Sequence, residues 1–273
     1  MTVSNLTGDV RGMHLSPGNA GALFQVASQF NLLEMVSPQV TPDQGVTRYQ
    51  NDRTQGPACA IAAGAATIYR NYFAPVGEGH GQTSARQLDG LADLGLALSK
   101  RLGTSVSALW EMKNGYALCT ARGLAAIASY LRSADPAEVD QLRGLLRVGL
   151  HRDVEVTDGE DPQRQTVSQV FCSALPVAYN CIGTAEWRPF ALLVLEAAYE
   201  ATLWAGVLNA RRGVSNVVML TRLGGGAFGN DDAWIDAAMR HALTTVKDFG
   251  LDVRIVSFGA PPSSMLALER GFS

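Results

Sequence analysis

The chain is short of the spacings that mark metal and redox chemistry. Its four cysteines, Cys59, Cys119, Cys172 and Cys181, form no C-x-x-C pair and lie among apolar or small residues. Buried free thiols are expected, not a disulfide frame. The four histidines are scattered, without HExxH or similar ligand spacing, so neither a protein-held metal nor a cofactor is expected. There is no basic block and the formal net charge is -3, which disfavours nucleic acid. Charged residues make up only 17% against 47% hydrophobic, a globular balance. Residues 76–82 are a flexible Gly-rich loop, but neither GxGxxG nor GxxxxGK[ST] occurs, and a serine nucleophile elbow is absent.

Residues 1–8 lack the charged-then-apolar order of a secretory signal. The most apolar long segment, 189–210, is interrupted by Glu196 and Glu200, four apart on one helix face. That pattern reads as a buried helix with a polar stripe, not a membrane span. A cytoplasmic protein without a membrane partner is the expectation.

Strands are expected at 8–15, 22–27, 149–156, 167–179, 216–221 and 253–258. Helices are expected at 57–72, 120–132, 136–147, 187–211 and 232–249. Thr41-Pro-Asp-Gln-Gly45 reads as a turn, Lys113-Asn-Gly115 as the turn of a hairpin over 110–119, and 158–165 as a charged surface loop. Residues 87–99 fit helix or strand equally. Asp135 before Pro136 is a helix N-cap signal. The second half alternates strand and helix, which predicts an α/β fold with a mixed, parallel-rich sheet covered by helices. Ligands in such sheets bind beyond the C-terminal strand ends. With no linker, low-complexity tract or repeat, one domain over 1–273 is expected. Its core lies at 20–75 and 167–260, around an undiagnostic middle, 76–166.

Two stretches carry the candidate chemistry. Leu223-Gly-Gly-Gly-Ala-Phe-Gly-Asn230 stands between a strand and a helix. Gly224, Gly225, Gly226 and Gly229 leave backbone N–H groups uncovered, the geometry that cradles a diphosphate. Ala227 and Asn230 belong to the same loop, and Phe228 can pack against a ribose or base. The plainer reading is a tight turn that needs glycine. The second stretch, Val46–Pro57, carries Asn51 and Asp52 into a helix that starts near Pro57, with Gln55 and Gly56 at the start. A helix N-terminus favours an anion. Asp52 is the leading acid, with Asp43 and Glu34 beside it. Two carboxylates can orient water and steady positive charge at a glycosidic carbon. A turn residue, a cap and a solvated charge are the plainer readings of the three. Gln29 and Asn31, just past a strand, are candidate contacts to base or ribose, or hydrogen-bonded loop residues. Tyr179 and Asn180 fall on the ligand side, with a core tyrosine the commoner explanation.

Leu223–Asn230, with its flanking strand and helix, resembles the glycine loop of the macrodomain superfamily and its poly(ADP-ribose) glycohydrolase-like branches. Phe24-Gln-Val-Ala-Ser-Gln-Phe-Asn-Leu-Leu-Glu34 together with Asn51-Asp-Arg-Thr-Gln-Gly-Pro57 is more particular. It resembles a divergent macrodomain group that includes bacterial effectors removing ADP-ribose from arginine, ubiquitin's arginine among them. The resemblance implies a macrodomain-like three-layer α/β/α fold and an ADP-ribosylarginine hydrolase. It implies ADP-ribose on the Gly224–Asn230 loop and catalytic acids at Asp52, Asp43 and Glu34. The implied partner is an arginine-ADP-ribosylated protein, ubiquitin being one candidate. The Gly-Gly-Gly then Glu-Glu of poly(ADP-ribose) glycohydrolases is missing after Asn31, which argues against chain cleavage. The alternatives are a non-catalytic ADP-ribose reader and an acyl- or sugar-processing enzyme on an unrelated α/β fold.

Overall fold

Residues of the central strands do not alternate between buried and exposed, because both faces of the sheet are covered there. Leu23 and Phe24 are neighbours on one strand and are both fully buried, but they enter different cores. Val170 and Phe171 divide in the same way, as do Val218 and Met219. The computed structural model describes residues 1–160 and 163–272.

The central sheet has six strands: β1 (Thr2–Thr7), β2 (Leu23–Ala27), β3 (Gly149–Glu155), β4 (Thr166–Cys172), β5 (Val217–Thr221) and β6 (Asp252–Ser257). Their order is β1-β6-β5-β2-β4-β3, and every pairing is parallel except β3 against β4. With helices packed on both faces, this is the mixed, parallel-rich three-layer α/β/α arrangement. One face carries helix Thr184–Arg211 with Asp232–Thr245 and Ala121–Ser133; the other carries Val10–Leu15 and Gln55–Ala62. Helix Thr184–Arg211 is long and apolar enough to cross a membrane, yet its most apolar window is 61% buried within the fold. Its polar stripe is used: Arg143 lies 3.1 Å from Glu196 and 3.9 Å from Glu200.

Several boundaries differ from the sequence reading. Residues 8–15 are not a strand. Asp9 caps a helix over Val10–Leu15, and the strand precedes it at Thr2–Thr7. The single helix expected over 57–72 is two, Gln55–Ala62 and Gly64–Tyr72, broken at Ala63. Of residues 87–99, the part from Ala92 onward is helix, Ala92–Leu102. Strand β4 stops at Cys172, and Val177–Tyr179 is a short 3-10 turn. Helix Pro136–Arg143 ends before 147; Asp135 is its N-cap as expected, and Glu138 completes a capping box with it. The loop expected over 158–165 includes 161 and 162, which lie outside the described residues.

Pairing of β2 with β5 covers only Leu23↔Val218 and Phe24↔Met219, whereas β2 follows β4 to Ala27↔Cys172. Beyond Phe24 the two strands part. The order also reverses about this gap, with β4 and β3 to one side and β5, β6 and β1 to the other. Such a switch point leaves a crevice at the carboxyl ends of the strands.

Candidate active site

A cavity of about 600 Å³ opens at that gap, within the range for a small-molecule site. Both candidate stretches reach it. Asn51, Asp52, Gln55, Gly56 and Pro57 line it from one segment, and Gly224, Gly226, Ala227 and Phe228 from the other. Gln29 and Glu34 also line it; Asp43, Asn31, Gly225, Gly229 and Asn230 are not among its lining residues.

The loop after β2 is closed by its own side chains. The Gln29 amide donates to Met35 O (3.1 Å) and accepts from Met35 N (2.7 Å). Asn31 accepts from Leu33 N and donates to Gln87 Oε1, so its polar atoms are spent on loop structure, away from the cavity. Gly115 rests on this loop. A Cβ there would stand 2.6 Å from Asn31 and 2.7 Å from Gln29, and φ is 81° at Gly115 and 47° at Asn114. The Asn-Gly turn thus seats the hairpin Trp110–Lys113 and Tyr116–Cys119 over the crevice and brings Tyr116 into its wall.

The helix Gln55–Ala62 is fixed against β2. Gln55 Oε1 accepts from Ala27 N (2.8 Å), and its Nε2 donates to Gln25 O (2.7 Å). Gly56 makes this approach feasible, since a Cβ there would sit 1.9 Å from Ala27 O. Asp52 stands just before the helix, half-buried, with Oδ1 accepting from Thr54 N (2.9 Å) and Thr54 Oγ1 (2.7 Å). Its Oδ2 takes no hydrogen bond from the described residues and is free to meet a ligand or water.

Glu34 lies in the cavity wall but is 3% exposed. Arg70 Nη2 reaches both of its oxygens, at 3.0 and 3.1 Å. Burial pushes the Glu34 carboxyl up to about 7, opposed by the Arg70 charge. Burial raises the Tyr49 hydroxyl too, with the Glu34 charge adding to it. The Arg70 guanidinium carbon sits 3.6 Å above the Phe171 ring centre. Asp43 is fully exposed, and its carboxyl accepts from Ser84 N (2.6 Å), which holds it below the usual range. The sequence placed three acids together. The structure leaves one reachable, one buried in an ion pair, and one outside the cavity lining.

No protein-family model and no curated protein matches this chain. Solved structures resemble it. Poly(ADP-ribose) glycohydrolase from Deinococcus radiodurans, in complex with ADP-ribose, is 13% identical with a TM-score of 0.48, over 99% of this chain and 82% of that one. Poly(ADP-ribose) glycohydrolase from Thermomonospora curvata, bound to the inhibitor ADP-HPD, is 13% identical with a TM-score of 0.41, over 99% and 77%.

The glycine loop is closed by Asn230, whose N donates to Gly224 O (2.9 Å) and whose Nδ2 donates to Leu175 O (2.8 Å). Gly224 and Gly229 adopt φ of 75° and 68°. A Cβ would stand 2.5 Å from Ala174 at the first and 2.9 Å from Ala178 at the second, while Gly226 has open space. Gly224 and Gly229 therefore shape the loop, and Gly226 leaves its backbone bare toward the cavity. Arg222, also lining the cavity, pairs with Asp232 and with Asp236 (3.4 Å) on the following helix. Tyr116, Arg53, Thr54 and Arg222 also line the cavity and were not legible as site residues in the sequence, where Tyr179 reads as core. The one available signal was Tyr116 standing directly after an Asn-Gly turn.

Proposed function

We propose that this protein is a macrodomain-type ADP-ribosylhydrolase that cleaves the N-glycosidic bond between ADP-ribose and an arginine side chain, with ubiquitin among the candidate acceptors. The observation that carries the reading is the convergence of two distant segments. The bare backbone around Gly226 and the helix start at Gln55 border one cavity, and Asp52 lies in its wall. Backbone N–H groups and a helix N-terminus suit a diphosphate. A carboxylate beside them suits a carbon that becomes positively charged.

In this reading Asp52 Oδ2 orients a water, or a ribose hydroxyl, against C1″. The water oxygen bonds to C1″ as the C1″–N bond breaks, and the electron pair leaves with the guanidine nitrogen. Free guanidine is a strong base and takes up a proton, so the leaving group needs no strong general acid. That agrees with Glu34 being held in the wall by Arg70 instead of standing open. Calorimetry with ADP-ribose, beside release from arginine-, serine- and glutamate-linked conjugates, tests the reading. Asp52→Asn is expected to keep ADP-ribose binding and to lose at least about 10²-fold in turnover, the scale of general base catalysis. Unchanged turnover would remove Asp52 from the chemistry.

Among the described residues lining the cavity Asp52 is the one reachable acid, which favours one second reading, an ADP-ribose reader without turnover. Binding with no release from any conjugate would select it.

A further inference from the structure

Tyr116, Tyr179 and Phe228 come from three separate segments and meet in the cavity wall. Their ring centres are 5.2 Å (Tyr116–Tyr179), 5.3 Å (Tyr116–Phe228) and 5.6 Å (Tyr179–Phe228) apart, at 46°, 44° and 73°. Tyr116 is 1% exposed and its hydroxyl donates to Met35 O (2.6 Å), so it forms the floor. Tyr179 and Phe228 are half-buried and turn ring surface toward the cavity. Two backbone ties hold the group in place. Ala178 N donates to Phe228 O (3.0 Å), and Phe30 N donates to Gly115 O (2.9 Å) at the hairpin tip. Asp52 belongs to the same neighbourhood. Burial raises the Tyr116 hydroxyl most, Tyr179 adds to it, and the Asp52 charge adds further.

We propose that this aromatic surface, next to Asp52, seats the substrate's arginine guanidinium. The inference rests on the hydrolase reading and names the residues that would make it arginine-selective. A guanidinium is a planar cation that stacks on ring faces and is drawn to their negative π surface. A carboxylate alongside adds attraction for a cation, which a neutral base stacked in the same place would not use. A serine- or glutamate-linked ADP-ribose presents no such cation. The aromatic wall would therefore distinguish linkages by the group attached to the ribose.

The test keeps Asp52 in place and compares the affinity for free ADP-ribose with the KM for ADP-ribosylarginine. Tyr179→Leu and Tyr179→Phe are then added. A cation over a half-buried ring predicts that Tyr179→Leu raises the ADP-ribosylarginine KM about tenfold and weakens ADP-ribose binding by less than about twofold, while Tyr179→Phe keeps both values of the unaltered protein. If the conjugate is not hydrolysed, the same contrast is read in its Kd. Equal losses for both ligands would place the ring against the base or ribose and overturn the proposal. So would no loss for either, or a conjugate bound no more tightly than ADP-ribose before Tyr179 is changed. If neither ligand binds the unaltered protein, the hydrolase reading falls with it, an outcome distinct from the others.

Discussion

Gly56→Ala is the substitution for which the structure gives the sharpest expectation. The new Cβ would lie 1.9 Å from Ala27 O and 3.1 Å from Glu34 Cγ, where ordinary contact begins at 3.4 Å. Strand end and helix start must therefore separate by roughly 1.5 Å, since the obstacle is a backbone oxygen that no rotamer can move. Forcing a carbon into such a place costs typically about 1–3 kcal/mol. At about 2 kcal/mol, the melting temperature of a domain this size falls by roughly 4–8 °C. The displaced element carries Asp52 and the helix start, and a misplacement of about 1 Å can cost roughly 10² in rate. Gly226→Ala is the matched control, because nothing lies within 4 Å of its Cβ. It should melt within about 2 °C of the unaltered protein, as open surface positions do, yet bind ADP-ribose more weakly because the methyl covers bare backbone. Thermal melts and ADP-ribose calorimetry on both variants decide the matter. Gly56→Ala with wild-type melting and affinity would show that the strand end and helix start accommodate a Cβ without parting. Gly226→Ala with undiminished affinity would refute the diphosphate placement.

Arg70→Met strands the Glu34 carboxylate in a site where it is 3% exposed. Breaking a buried pair from one side costs about 3–5 kcal/mol, readable from urea unfolding, and adding Glu34→Gln should return part of it. His14 is fully buried between Val10 O (2.8 Å) and Gln169, stacked on Phe24, and burial lowers its pKa to about 4. The unfolded chain, at 6.5, binds its proton first. His14 should therefore cost stability as pH falls from about 6.5 to 4, by up to about 3 kcal/mol. Glu34 works in the opposite sense, its raised carboxyl losing stability as pH climbs from 4.5 to about 7. The His14 part is thus read as the difference in urea midpoint between the unaltered protein and His14→Gln; a pH-independent difference would show that His14 is not the group titrating.

The sheet and its ligand edge were legible because strand and helix alternate so regularly after residue 167, and because glycine clusters mark where backbone is left bare. The Asn-Gly hairpin was legible for the same local reason, its turn needing positive φ twice. Proximity across the chain was not legible. Asp43 looked like a partner for Asp52 by its place in the sequence, but Pro42–Gln44 forms a 3-10 turn that packs against Asn71 and Ser84. Glu34 revealed nothing of Arg70, 36 residues away, and Tyr116 lay in a middle segment without diagnostic pattern. Side-chain amides such as Gln29 and Asn31 read as ligand contacts in the sequence because polar residues after a strand usually face solvent; here they support a hairpin that arrives from 80 residues later.

Two glutamines hold the seam where the strands part. Gln25 Oε1 accepts from Thr221 N (3.2 Å) and its Nε2 donates to Thr202 Oγ1 (3.0 Å), while Gln55 supplies hydrogen bonds to Ala27 N and Gln25 O that β5 does not. The aperture of the crevice is consequently gauged by the reach of side-chain amides and not by sheet pairing. A scaffold braced in this way can be retuned one methylene at a time: shortening either glutamine to asparagine would narrow or unlatch the mouth while leaving the ladder on either flank as it stands.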